Sequence, residues 1–209
     1  MALDEALLEF ASQLGKPILR FYSWTEPAAS FGYFQKFSEV EKLTPLRPLV
    51  RRPTGGGIVP HDKDWTYSLI FPPSDPWHEL SARESYRRVH EWIHDAFTKR
   101  GVTTEVAPSA RRFQPGQCFE GHEQFDLLWH GRKIAGAAQR RNRHGLLIQG
   151  SVQPPPKVAK AEWQKAMCDV ARLRWSAHWQ KFELDALLNE HAAHLMKTKF
   201  AADSFLKKR

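Results

Sequence analysis

The chain has 209 residues, 42% of them hydrophobic and 26% charged, and its 31 Lys and Arg against 23 Asp and Glu give a formal net charge of +8. No apolar run approaches the roughly 18 residues that a membrane span needs, so we expect a cytoplasmic protein of one domain, without membrane association. Its 2 cysteines are too few for a disulfide framework, and its basic charge favours anionic partners.

The N-terminal part of the sequence predicts a helix followed by the start of a sheet. The helix is expected over residues 3–14. Strands are expected over Pro17–Tyr22 and Ala29–Phe34, and Pro27 and Gly32 interrupt them.

A glycine-rich segment with two arginines, RRPTGGG at residues 51–57, is the first candidate for a binding site. Such a loop can present backbone N–H groups to a phosphate or carbonyl oxygen while the guanidinium groups neutralise charge. The alternative is an ordinary turn between strands, and the following His61-Asp62 pair favours the functional interpretation. No GK[ST] follows, so this is not a Walker loop. The candidate residues are Arg51, Arg52, Gly55, Gly56, Gly57 and His61.

The clearest helix is predicted over Ser81–Arg100. Ser81 and Glu84 have the spacing of a capping box, apolar residues recur at helical spacing, and Gly101 provides the stop. We expect one face of this helix to pack inward.

The same helix contains HExxH at His90, Glu91 and His94, the pattern of zinc peptidases. By helical angle, however, His90 borders the apolar stripe, His94 lies farther round and Glu91 points almost opposite it. We therefore interpret the motif as a chance match on a solvated helix and predict no metal site.

Short strands are predicted in the middle of the chain, at Phe125–Trp129, Lys133–Ala138 and Gly145–Gly150, joined by polar turns that include residues 130–132. Beyond the prolyl run at residues 154–156, a helix is predicted over residues 160–196. Its apolar stripe runs through Trp163, Met167, Val170, Leu173, Leu184, Leu187 and Leu188. Strands and helices without regular alternation favour an α+β architecture.

Cys118 and Lys133 form a second candidate site. Cys118 lies in a polar loop, and Lys133 follows it by fifteen positions, just after a tight turn. A nearby ammonium group favours the thiolate, which is the nucleophilic form of cysteine. The alternative is an incidental loop thiol. Cys168, on the predicted C-terminal helix, is interpreted as a core residue.

Lys133 is followed by small residues, among them Gly136. These would let a bound chain or nucleotide lie close to the strand, although a tightly packed hairpin would need the same residues.

Taken in order, RRPTGGGIVPHDKDWTYSL at residues 51–69, the loop Cys118–Phe125 and GRKIAGAAQRR at residues 131–141 resemble the biotin/lipoate A/B protein ligase family. MALDEALL and PILRFYSW precede them, and the resemblance spans residues 1 to about 155. It implies an α+β fold with a mixed, mostly antiparallel central sheet flanked by helices. It also implies a catalytic domain over residues 1–155, with residues 156–209 as a helical C-terminal extension packed on the same domain.

Two chemistries occur in that family. Lipoate-protein ligases activate a free acid with ATP, whereas one type of octanoyltransferase carries a cysteine ahead of the lysine motif. The position of Cys118 favours the transferase, with Cys118 and Lys133 catalytic. The resemblance further implies that Arg52, Gly57, Ile58 and Val59 line an acyl or phosphopantetheine channel.

The partners implied are octanoyl-acyl carrier protein and a lipoyl-domain acceptor, such as a glycine cleavage H protein or a 2-oxo acid dehydrogenase subunit. Both are typically acidic, which suits a basic enzyme. We expect a monomer that acts on no nucleic acid and needs no cofactor as a transferase. As an ATP-dependent lipoate- or octanoate-protein ligase it would need ATP and Mg. A non-catalytic basic binding module and an HExxH metallohydrolase are the alternatives from other classes.

Overall fold

The computed structural model describes residues 1–111, 121–153 and 158–208. Within these ranges the helices are α1 Ala2–Glu9, α2 Ala11–Leu14, α3 Phe37–Leu43, α4 Pro76–Glu79, α5 Ala82–Thr98, α6 Lys160–Trp175, α7 Ala186–Leu195 and α8 Asp203–Leu206, with a π-helical turn over Met196–Phe200. The strands are β1 Ile18–Tyr22, β2 Ala28–Phe31, β3 Leu49–Arg51, β4 Val59–His61, β5 Trp65–Phe71, β6 Glu105–Val106, β7 Leu127–Trp129, β8 Arg132–Asn142 and β9 Gly145–Val152.

These strands form two sheets. The larger has six strands in the order β1-β5-β9-β8-β7-β6, and every neighbouring pair is antiparallel. The smaller has the order β3-β2-β4, with β2 parallel to β3 and antiparallel to β4. The prediction of an α+β fold with a mixed, mostly antiparallel sheet is confirmed.

The large sheet separates two different environments, because successive side chains of a strand point to opposite faces. On β5 and β9, one set of alternate residues joins the main hydrophobic core against α5 and α6: Trp65, Tyr67, Leu69, Phe71, Leu146, Ile148 and Val152. The other set includes the polar residues Thr66, Ser68, Gln149 and Ser151, which are also buried. Both faces of these strands are therefore covered.

Aromatic side chains fill the main core. Trp163 of α6 is fully buried and lies within ring-contact distance of Phe21, Trp65, Tyr67 and Phe97. The indole N–H of Trp92 donates a 2.8 Å hydrogen bond to the carbonyl of Met167, which ties α5 to α6.

Helix α5 begins where the capping pattern predicts. The hydroxyl of Ser81 accepts a 3.1 Å hydrogen bond from the N–H of Glu84. Val89, Ile93 and Phe97 are fully buried, and Gly101 beyond the helix adopts a left-handed φ of 73°. The predicted inward face and stop are thus present.

Two predicted helices are each divided. The helix predicted over residues 3–14 breaks at Phe10 into α1 and α2. The helix predicted over 160–196 ends at Ser176, whose φ of 52° is left-handed, and helix resumes at Ala186. The predicted stripe is consequently only partly buried: Trp163, Met167, Val170 and Leu188 are in the interior, whereas Leu173 and Leu187 are 77% and 60% exposed.

A tight hairpin turn connects β7 to β8 at the position predicted for residues 130–132. His130 and Gly131 both have positive φ, 48° and 71°, as a type I′ turn requires. The turn places Lys133 at the start of β8. No helix in the described ranges is long and apolar enough to cross a membrane.

Candidate active site

A pocket with about 470 Å³ of empty space lies between the small sheet and the polar face of the large sheet. Six of the predicted site residues line it: Arg52, Gly56, Val59, His61, Lys133 and Gly136. The structure therefore brings the glycine-rich segment and the lysine motif, distant in sequence, to one place.

Lys133 projects from the start of β8 and is almost completely buried. Its Nζ lies 2.7 Å from Oδ2 of Asp126, and the side chains are 7% and 0% exposed. Asp126 also accepts hydrogen bonds from the hydroxyl of Tyr86 and from the N–H of Glu123. Asp126 is thus fixed from two other elements, and it stabilises the positive charge of Lys133.

Gly136 provides the space that the Lys133 side chain occupies. A Cβ at position 136 would lie 2.7 Å from Cε and 2.8 Å from Nζ of Lys133. The small residues after Lys133 were predicted to admit a bound chain or to pack a hairpin, and at Gly136 the group that lies close is the lysine itself.

Arg52 fixes the conformation of the glycine-rich segment. One guanidinium nitrogen donates to the carbonyls of Gly55 and Gly57, each at 2.8 Å, and the other donates to Oγ of Ser30 at 2.8 Å. Since these carbonyls are turned toward Arg52, its guanidinium organises the loop as well as lining the pocket.

His61, Ser30 and Asp64 form a hydrogen-bonded series beside the pocket. The Nδ1 of His61 lies 2.7 Å from Oδ2 of Asp64, and its Nε2 lies 2.6 Å from Oγ of Ser30. The imidazole stacks on the Trp24 ring at a centroid distance of 4.1 Å. Burial lowers the pKa of His61 below its ordinary value of 6.5, although Asp64 raises it in part. The imidazole is therefore neutral at pH 7.

A second polar network supports the pocket from the other side. Gln149 donates to Asp4 at 2.7 Å and accepts from the hydroxyl of Thr54 at 2.8 Å. Asp4 also accepts from Arg20 and Ser68, each at 2.8 Å. These contacts join α1, β1, β5 and β9 to Thr54, which immediately precedes the three glycines.

Sequence reasoning missed Ser30, Asp64, Asp126 and Gln149. Long-range strand pairing brings Ser30 and Gln149 to the pocket region, and no local pattern marks either residue. Asp64 lies only three residues after His61, with which it pairs. Asp126 carried a usable signal, because an acidic residue in the segment just before the lysine motif can pair across the hairpin.

The remaining predicted binding residues do not line the pocket in this structure. Arg51 is 1% exposed and donates to backbone carbonyls of Tyr33, Gln35, Phe205, Leu206 and Lys208. It therefore anchors α8 on the small sheet. Ile58 belongs to the apolar cluster beneath that sheet, and Gly55 and Gly57 serve as acceptors for Arg52.

The HExxH residues of α5 are directed to three different partners. His90 is fully buried and its Nδ1 lies 2.9 Å from the carbonyl of Tyr86, so it is not part of a solvated surface. His94 hydrogen-bonds Thr104 at 2.9 Å, and Glu91 pairs with Arg87 and Arg174. Within the described residues, no group of three or more His, Cys, Asp or Glu side chains is placed to hold a metal ion.

Cys118 lies outside the described residues. On either side of its segment, Arg111 and His122 pair through backbone hydrogen bonds of 2.7 and 2.8 Å, close in sequence to Asp126. Cys168 is half-buried on α6, and burial raises the pKa of its thiol, which favours the unreactive protonated form.

Comparison with known proteins gives a consistent result. Residues 1–161 match the family described as the lipoyl protein ligase A/B catalytic domain. Proteins named Octanoyltransferase LipM from Geobacillus kaustophilus and Staphylococcus aureus are each 39% identical over 166 residues, or 73% of this chain. The chain spans only 59% and 60% of the length of these relatives.

Solved structures of the same fold include a T. acidophilum protein with bound lipoic acid, with a TM-score of 0.82, 19% identity, and coverage of 100% of this chain and 92% of that one. A lipoate-protein ligase A bound with ATP has a TM-score of 0.79 at 19% identity, covering 99% and 92% of the two chains.

Proposed function

The chain belongs to the lipoyl protein ligase A/B catalytic domain family, and on that basis we propose that it transfers an octanoyl group from acyl carrier protein to a lysine of a lipoyl-type acceptor domain. Support comes from relatives named octanoyltransferases at 39% identity. The observation that carries the proposal is the burial of Lys133 in the pocket, fifteen residues after Cys118 in the sequence.

In the proposed first step, the Cys118 thiolate attacks the carbonyl carbon of the octanoyl thioester. A carbon–sulfur bond to Cys118 forms, the bond to the carrier thiol breaks, and the departing thiolate takes up a proton. Exchange between thioesters is nearly isoenergetic, so no ATP is needed. The ammonium of Lys133 stabilises negative charge in this step, and Asp126 keeps it in position.

In the second step, the acceptor lysine attacks the acyl-enzyme and an amide replaces the thioester. This conversion is strongly downhill and also needs no ATP. Backbone N–H groups of the glycine-rich segment, whose conformation Arg52 fixes, would hold the carbonyl oxygen as it becomes negative. The net charge of +8 would attract an acidic acyl carrier protein and an acidic acceptor domain alike.

Intact-protein mass spectrometry tests this proposal. The enzyme is mixed with octanoyl-acyl carrier protein without ATP, and a lipoyl domain is then added. We expect an octanoyl adduct on Cys118 that passes to the acceptor lysine, and we expect neither product from Cys118→Ser. If acceptor modification needs ATP and free acid and survives Cys118→Ser, the chain is a ligase and the proposal is wrong.

A further inference from the structure

The second step of the proposed function raises a chemical requirement that Cys118 and Lys133 do not meet. The acceptor lysine approaches as an ammonium ion, which has no lone pair for attack, so it must first lose a proton. The amino group of Lys133 is already engaged in an ion pair with Asp126 at 2.7 Å. On the proposed function, therefore, another group must take the proton.

The geometry around His61 defines which of its nitrogens can accept a proton. The carboxylate of Asp64 only accepts hydrogen bonds, so the His61 Nδ1 at 2.7 Å must carry the hydrogen. In the neutral ring, Nε2 then bears the lone pair, and the hydroxyl of Ser30 donates to it across 2.6 Å. Ser30 Oγ in turn accepts from Arg52 at 2.8 Å. The hydrogen bonds therefore run in one direction, from Arg52 to Ser30, from Ser30 to His61 and from His61 to Asp64.

Burial lowers the pKa of two basic groups among the described residues that line the pocket, the imidazole of His61 and the α-amino group of Met1. Of these two, His61 is the group that hydrogen-bonds both a hydroxyl and a carboxylate. The remaining groups are poor proton acceptors. Burial raises the pKa of Tyr22 well above its ordinary value, so the phenol keeps its proton at neutral pH. Arg52 and Lys133 are hydrogen-bond donors that carry charge, and Thr66, Gln149 and Ser151 have no basic nitrogen. Burial lowers the pKa of His61, which leaves its imidazole neutral and able to accept.

We propose that Ser30, His61 and Asp64 form a proton relay that deprotonates the acceptor lysine for attack on the Cys118 thioester. The amine proton passes to Ser30 Oγ while the hydroxyl proton of Ser30 passes to His61 Nε2, and Asp64 stabilises the resulting imidazolium. The amine nitrogen then bonds to the carbonyl carbon and the carbon–sulfur bond breaks. The Cys118 thiolate takes the second amine proton, and His61 releases the first to solvent.

The residues around the relay hold Asp64 and His61 in position for proton transfer. Asp64 is 2% exposed on its side chain and also accepts from Ser151 of β9 at 2.7 Å, which fixes its orientation. The Trp24 ring covers one face of the imidazole. Arg52 and Lys133 are two of the cationic groups that line the pocket, and they disfavour a further positive charge on an incoming ammonium. On the imidazole of His61 the effect of Asp64 outweighs that of Arg52.

The relay predicts a pH dependence with a defined sign. Below its pKa, His61 already carries the proton on Nε2 and cannot accept another, so transfer to lysine falls as the pH decreases through that value. The charged groups that face the His61–Asp64 pair act in opposite directions. Asp64 raises the pKa of His61 and Arg52 lowers it, while Lys160 of α6 lies near Asp64. Asp64→Asn removes the raising effect and should move the acid limb to lower pH.

The test separates the two half-reactions. Octanoyl-Cys118 enzyme is prepared from octanoyl-acyl carrier protein, and its decay is followed by mass spectrometry after addition of a lipoyl domain or of hydroxylamine. Hydroxylamine is uncharged at neutral pH and needs no base before it attacks. We expect Ser30→Ala and His61→Gln to form the acyl-enzyme, to transfer to lysine about 10²- to 10⁴-fold more slowly, and to react with hydroxylamine at the parent rate.

Each other outcome overturns the relay. If transfer to lysine and to hydroxylamine falls equally, Ser30 and His61 only shape the pocket. If neither falls, or if the acid limb is unchanged in Asp64→Asn, the proton takes another route. If the parent protein forms no acyl-enzyme, the proposed function fails and the relay fails with it.

Discussion

Replacing Gly136 with alanine should move Lys133 without unfolding the protein. The added Cβ would stand 2.8 Å from Nζ, and ordinary contact begins at 3.4 Å, so the amine must retreat by about 0.6 Å. Nζ is the far end of a flexible side chain, and it can move without disturbing the backbone. The Cβ would also lie 3.2 Å from Oδ1 of Asp126, so Gly136→Ala perturbs mainly the position of Lys133 and, to a smaller extent, that of its partner.

The size of the effect follows from the ion pair. At an effective dielectric constant of about 20, lengthening a 2.7 Å pair by about 0.6 Å weakens its Coulomb attraction by about 1 kcal/mol. A catalytic group misplaced by about 1 Å can lose about 100-fold in rate. We expect acyl-enzyme formation to slow by at least about tenfold, while the melting temperature falls by no more than about 2–4 °C.

Rapid-quench mass spectrometry of the octanoyl adduct, together with thermal melting, measures both quantities. Gly101→Ala is the matched control: it forces a left-handed φ of 73° onto alanine in open space beyond α5. It should lower the melting temperature by about 2–4 °C and leave the rate unchanged. A folded Gly136→Ala protein that reacts at the parent rate would refute the reasoning that Lys133 must occupy its observed position.

Three further predictions concern stability. Gly150→Ala would bring a methyl group within 2.1 Å of the buried Tyr67 ring, so we expect a loss of at least about 1–3 kcal/mol in urea unfolding, and an unchanged midpoint would contradict this packing. Arg51→Met should expose α8 to limited proteolysis while acyl-enzyme formation continues, and equal cleavage rates would show that other contacts retain the helix. Hydrogen bonds from Arg87 and Arg88 lower the pKa of Glu84 to about 2. The stability that the ionised Glu84 carboxylate gives the folded protein is therefore fully present above pH 4.5 and is lost as the pH falls through about 2. The difference in melting temperature between Glu84→Gln and the parent at pH 7 should thus disappear near pH 2, and a persistent difference would exclude this ion pairing as its source.

Local signals predicted the parts of the fold that depend on local chemistry. The Ser81 cap fixed the beginning of α5, and the turn at His130 and Gly131 gave the register of β7 and β8. The break between α6 and α7 escaped prediction because apolar residues continue at helical spacing through it. Ser176 in the left-handed region ends α6, and serine has no strong preference that would mark it.

The pocket was predictable only in part, for a geometric reason. The resemblance identified Lys133 and Arg52, and both lie in the pocket. Arg51 was grouped with Arg52 because the two are adjacent in sequence. Neighbouring side chains of an extended segment point to opposite sides, so one of the two had to face away. Ser30 reaches the pocket only through pairing of β2 with β3 and β4, which no local pattern encodes.

The strict alternation along β5 and β9 has an evolutionary consequence. Side chains at Tyr67, Leu69 and Ile148 face the aromatic core, whereas those at Thr66 and Gln149 face the pocket. Selection on substrate preference can therefore act on pocket-facing positions such as Thr66 and Gln149 while selection on folding acts on the positions between them. Insertion of one residue would exchange the two sets at once, so these strands should tolerate point substitution far better than any change in length.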